Sequence, residues 1–184
     1  MSKSIKPILE ASYQNQKQAK KTLAKQGYTY DKKLSTNESK VFVDSMGNPN
    51  IAFRGSKTAK DWLVSDTLLA LGASRFDPRF SQAKALTKQV EKKYGKPADV
   101  FAHSLGGAIA EKSGASGKIY TYNKGVGIGD IGKTIPKNQT DIRTKADLVS
   151  ALSLTQKYKG DQKTIKGSLN PIAAHSLENL PTFV

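Results

Sequence analysis

The chain has 184 residues, no cysteine and a formal net charge of +15, carried mainly by lysine. That length suits one domain with a core of its own. The absence of cysteine excludes a disulfide framework and any thiolate metal site. The charge attracts polyanions, an anionic membrane surface or nucleic acid, and serves solubility as well. No zinc-finger spacing, aromatic ribonucleoprotein motif or clear recognition helix accompanies it.

In chain order, MSKSIKPILEASYQNQKQAK has no continuous apolar stretch of the signal-peptide type, and nothing later approaches a bilayer-spanning run. Ile5, Leu9, Tyr13 and Leu23 recur at loosely helical spacing on a polar background. This predicts one amphipathic helix within residues 1–27, ended near Gly27 and packed on the domain. KVFVDS and NIAFRGS flank the turn-rich MGNPN and read as a hairpin. TAKDWLVSDTLLALGAS is a helix or a small lid, with Leu68, Leu69 and Leu71 as its apolar side. Phe80, Ala83, Leu86, Val90 and Tyr94 step by three and four, and Gly95 and Pro97 stop the pattern. ADVFA is a short buried strand, Leu105 to Lys112 a helix, and KIYTY another strand. Strands alternating with helices imply an α/β fold with three layers and a mainly parallel central sheet.

The stretch DVFAHSLGGAIAEK carries the strongest chemical signal. A nucleophilic serine can sit at a sharp turn between strand and helix when its neighbours two before and two after are small. Ala102 and Gly106 meet that need around Ser104, although the usual Gly-x-Ser-x-Gly begins with glycine. The helix that follows directs free N–H groups at a developing oxyanion, and the N–H of Leu105 is one such donor. A serine needs a base. His103 adjoins Ser104, and the two side chains point apart, so the other histidine, His175 in NPIAAHSLENL, is left for the role. Four aspartates lie between serine and histidine: Asp130, Asp141, Asp147 and Asp161. Asp147 is best placed as the orienting acid, after a strand through Ile142 and Thr144. Asp141 is read as preceding that strand and Asp161 as lying in a lysine-rich loop. GIGDIG, residues 127–132, has the spacing of a dinucleotide fingerprint, but KTIPKNQ follows, and Pro136 opposes the helix that motif needs. It is read as a loop at the active-site rim.

These segments together resemble the class 3 lipases of the α/β-hydrolase fold. FAHSLGGAIA is similar to that family's nucleophile segment, IAFRGS to its strand ending in Phe-Arg-Gly, and DWLVSD to the segment after it. IYTYNKGVGIGD resembles the strand and loop after the nucleophile helix and DIRTKADLV the segment with the triad aspartate, so the likeness runs from about Val41 to His175. The short, lysine-rich chain also resembles lipase-like proteins encoded by large DNA viruses. The resemblance implies Ser104 as nucleophile, Asp147 as acid and His175 as base. It also implies Ser56 as second oxyanion donor, with Asp66 supporting it, His103 and Gly106 supporting the elbow, and no metal or cofactor. The spacing from Trp62 to Asp66 is one residue wider than in the family, and Ala102 stands for its glycine. The implied activity is hydrolysis of lipid esters at an anionic membrane, phospholipase A1-like or lipase-like. A non-catalytic module of the same fold, meeting membrane or nucleic acid through its lysines, is the alternative.

Overall fold

A computed structural model describes residues 4–56 and 77–181. The N-terminal segment forms two helices rather than the one its spacing predicts: α1, Ile5–Tyr13, and α2, Gln16–Lys25. The cause is local. Gln14 is extended, and the Asn15 side chain accepts the N–H of Gln18 at 2.9 Å, starting a new helix with a strong N-cap residue. The break leaves Tyr13 at the end of α1.

The main sheet has the order β1 (Thr29–Tyr30), β2 (Ser39–Val43), β3 (Pro49–Phe53), β4 (Asp99–His103), β5 (Ile119–Tyr122), β7 (Gln139–Thr144), β9 (Asp161–Ile165). β1 to β3 run antiparallel through the predicted hairpin, and from β3 onward every neighbour is parallel. β6 (Thr134–Ile135) and β8 (Lys157–Tyr158) form a separate parallel pair. Gly127–Gly132 leads through a short 3-10 turn into β6, with no helix after it.

Helix α3, Pro78–Tyr94, begins where Asp77 accepts the N–H of Arg79 and Pro78 fills the first turn, and it ends on Gly95 at φ 64°. Helix α4, Leu105–Glu111, follows β4 directly, and α5, Pro171–Ala174, precedes His175. The period-two alternation of the strands sorts the core into two layers. Val41, Ile51, Val100 and Ala102 pack against Ala83 and Val90 of α3 and Ile109 of α4. Phe42, Ala52, Phe101 and Tyr122 pack on the other face against Ile8 and Leu9 of α1 and Leu23 of α2. Helices therefore cover both faces of a mainly parallel sheet, the three-layer α/β-hydrolase architecture that the sequence predicts. The same alternation turns His103 toward the α1 face.

Two placements differ from the sequence reading. β7 begins at Gln139, so Asp141 lies inside the strand. There it is buried with Lys124 Nζ at 2.5 Å, Thr121 Oγ1 at 2.6 Å and Tyr158 Oη at 2.8 Å. Asp161 opens the edge strand β9, a five-residue polar strand without the apolar alternation that would have marked it.

Candidate active site

The parallel strands of the sheet all end on one edge, and this is where α/β sheets place their sites. Ser104 sits there between β4 and α4 at φ 59° and ψ −131°. An L-residue in that region is strained by about 1–3 kcal/mol. Its own backbone bonds hold it: the N–H donates to Tyr122 O at 3.1 Å, and the carbonyl accepts from Gly107 at 2.8 Å and Gly125 at 3.0 Å. Glycine at 106 is required by contact rather than by torsion. A Cβ there would lie 2.5 Å from the Phe53 carbonyl oxygen and 2.9 Å from Arg54. The end of β3, and with it Ser56, thus comes against the start of α4.

Ser104 Oγ is buried and has no hydrogen-bond partner among the described residues. It lines a cavity of about 380 Å³ together with Ser56, His175, Tyr13, His103 and Ile172. His175 Nδ1 lies 2.9 Å from Asp147 Oδ1. Asp147 Oδ1 also accepts the N–H of Val149 at 3.2 Å, and Oδ2 that of Ser150 at 3.0 Å. Burial pushes the Asp147 carboxyl up, but the His175 hydrogen bond and charge and the Ser150 N–H outweigh it and hold the group below the usual carboxylate range. An ionised acceptor on Nδ1 leaves Nε2 as the imidazole's basic nitrogen.

Two of the other three aspartates are engaged elsewhere. Asp130 pairs with Lys112 at 3.0 Å and Lys133 at 2.5 Å. Asp141 belongs to the Lys124 cluster, and Asp161 is exposed on β9. Leu105 is buried as the first residue of α4, where a helix has no internal acceptor for its N–H. Asp66, Trp62 and the segment read as a helix or lid lie outside the described residues. Among those residues, no group of three or more His, Asp or Glu side chains is placed to hold a metal ion.

Sequence reasoning missed how the loop bearing His175 is held. Three successive carbonyls of that loop accept side-chain donors from the ends of β4 and β5. Asn123 Nδ2 donates to Ala174 O at 2.9 Å, His103 Nε2 to His175 O at 3.0 Å, and Tyr122 Oη to Ser176 O at 3.2 Å. Asn123 adopts φ 44°, and its Oδ1 takes the N–H of Thr144 at 2.8 Å, stitching β5 to β7 beneath the loop. An asparagine directly after a strand, a residue type that tolerates this backbone, was the available signal. Tyr13 gave none, because in the sequence it reads as one more apolar position of a helix.

This fold and edge define a chain with the three-layer α/β-hydrolase architecture. Solved structures agree. The Rhizomucor miehei lipase propeptide complex superposes with a TM-score of 0.51 at 14% identity, covering 96% of this chain and 76% of that one. A deletion mutant of the same complex gives 0.53 at 14% identity, with 96% and 75% covered. An MDLA variant from Penicillium cyclopium gives 0.50 at 19% identity, with 90% and 77% covered. In sequence, no family profile matches the chain, and no curated protein matches it. At these identities the likeness is one of fold.

Proposed function

We propose that the chain is a serine carboxylester hydrolase acting on lipid esters, phospholipase A1-like or lipase-like, as in the class 3 lipases that its sequence resembles. The observation that carries this reading is the shared cavity. A strained, buried Ser104 and a His175 oriented by Asp147 open into the same space. The lipases among the structural neighbours support it.

In this reading Ser104 Oγ attacks the ester carbonyl carbon while His175 Nε2 takes its proton. The carbonyl π pair moves to oxygen, and the N–H groups of Leu105 and Ser56 receive the oxyanion. Collapse expels the alcohol, which takes the proton back from His175, and leaves an acyl group on Ser104. Water, deprotonated by His175, then releases the carboxylic acid and restores the serine. Asp147 keeps the imidazole in the productive tautomer and stabilises its charged form.

Lipid as substrate is supported by the rim. Ile172 lines the cavity with Ser104 and is itself exposed, as are Leu169 near it in the chain and Leu148 next to Asp147. Exposed apolar side chains beside a site mark a surface that meets something apolar. The net charge of +15 favours an anionic bilayer over neutral oil.

A fluorophosphonate probe tests the reaction class. Labelling of the wild type that disappears in Ser104→Ala is expected. No labelling, with or without lipid, would leave the non-catalytic membrane- or nucleic-acid-binding module. Hydrolysis of phosphatidylglycerol vesicles should exceed that of phosphatidylcholine vesicles and fall steeply between low and physiological salt. Equal turnover on both, or a preference for short soluble esters, would remove the anionic membrane from the reading.

A further inference from the structure

One buried polar chain at the site takes no part in the chemistry above. The Gly55 N–H donates to Tyr13 Oη at 3.0 Å, Tyr13 Oη lies 2.7 Å from His103 Nδ1, and His103 Nε2 lies 3.0 Å from the main-chain oxygen of His175. The direction of every link follows from its ends. A carbonyl oxygen only accepts, so Nε2 carries the proton. Nδ1 is then bare, and the Tyr13 hydroxyl donates to it while accepting from Gly55. The His103 ring is further held between Tyr122, with centroids 5.5 Å apart, and the His175 ring at 4.8 Å. At the other end there is no slack: a Cβ on Gly55 would lie 2.7 Å from Tyr13 Oη and 2.9 Å from Ser104 Cβ. Burial, helped by His175, pushes His103 down to about 3, and burial pushes Tyr13 up to about 12. Neither group changes charge between those values, so the links persist across the working range of an esterase.

The two ends of this chain are the loop that carries Ser56 and the backbone of His175 itself. We propose that Tyr13 and His103 are positioning residues, a hydrogen-bonded strut that sets the spacing between the oxyanion loop and the imidazole and so keeps both registered on Ser104. The proposal rests on the hydrolase reading, and it makes α1 part of the active site.

The test uses paired variants in the full chain. In His103→Gln the side-chain amide N–H replaces the Nε2 donor to His175. In His103→Asn the side-chain oxygen replaces the Nδ1 acceptor for Tyr13, and the donor to His175 is lost. Tyr13→Phe removes the link to Gly55. Each is measured by kcat and KM on a soluble short-chain ester, by the rate of fluorophosphonate labelling, and by melting temperature. A loosened imidazole should lower kcat in His103→Asn by about 10²-fold with KM little changed. His103→Gln should retain at least about tenfold more activity than His103→Asn at a similar melting temperature, with Tyr13→Phe between wild type and His103→Asn. Equal activity in the two His103 variants, or losses that only track melting temperature, would overturn the strut.

Nitrogen NMR of the chain's two histidines reads the geometry without turnover. His103 should stay neutral and protonated on Nε2 down to about pH 4. If the wild type is never labelled, the hydrolase reading fails, and the strut is then judged by these spectra. A His103 ring protonated on Nδ1, or titrating near pH 6.5, overturns it.

Discussion

Replacing Asp147 with asparagine exchanges one acceptor oxygen for a donor at a point where three donors converge. Those donors are His175 Nδ1 at 2.9 Å and the N–H groups of Val149 at 3.2 Å and Ser150 at 3.0 Å. The asparagine has two placements. With its oxygen toward Ser150, the amide faces His175 and Val149, so the imidazole must shift its proton to Nε2 and cannot act as base. With its oxygen toward His175 and Val149, the tautomer survives but the Ser150 N–H loses its acceptor. Either way one buried N–H is orphaned, at about 1–3 kcal/mol, and the negative charge that stabilises the imidazolium is gone. The expected loss in kcat lies between about 10² and 10⁴, the upper figure applying if the tautomer flips. At about 1.4 kcal/mol per decade the lower figure is already about 3 kcal/mol of barrier.

The assay is hydrolysis of a soluble short-chain ester, alongside urea melts from pH 3 to 7. The Asp147 carboxyl is held below its ordinary range in the folded chain. Its contacts therefore contribute stability that is full above the unfolded value of about 3.9 and is lost as pH falls through the folded value. The stability gap between wild type and Asp147→Asn should accordingly be widest near neutrality and close in acid. A folded variant with activity within about threefold of wild type would refute the assignment of Asp147, because no orienting acid costs so little.

Two further substitutions test the frame that holds the site. Gly106→Ala puts a Cβ at 2.5 Å from the Phe53 carbonyl, and backbone cannot yield as a flexible side chain can. Thermal melts should show a loss of about 1–3 kcal/mol, and labelling of Ser104 should slow as the end of β3 is pushed from α4. Lys124→Met leaves Asp141 and Glu111, at 2.5 and 2.7 Å from Lys124 Nζ, without their cation on the buried side of α4. Urea melts should register about 3–5 kcal/mol of destabilisation. A neutral outcome would refute the buried ion pairs as a source of stability.

The parts legible in the sequence are those written in neighbouring residues. The turn at Ser104 can be read because its small flanks, the strand before it and the helix after it all lie within about a dozen positions. Pro78 and Gly95 bound α3 for the same reason, each through its own preferred backbone angles. The polar edge strand β9 is not legible, because what makes it a strand is pairing with β7 and not the character of its side chains. Nor is the break between α1 and α2, where a loose apolar spacing across both helices hid the cap at Asn15.

Local pattern also suggested an order of serine, acid and base for the proposed site, yet it left four aspartates in the interval. Their partners separate them: Lys124 for Asp141, Lys112 and Lys133 for Asp130, an exposed edge for Asp161, and the imidazole for Asp147. Tyr13 shows the same limit. Ninety residues separate it from His103, and no propensity or period connects them. A backbone angle is chosen by a residue and its neighbours, whereas a hydrogen bond across the sheet is chosen by strand order and by which face each side chain leaves. The elbow was therefore present in the string of residues, and the company it keeps was decided only when the sheet closed around it.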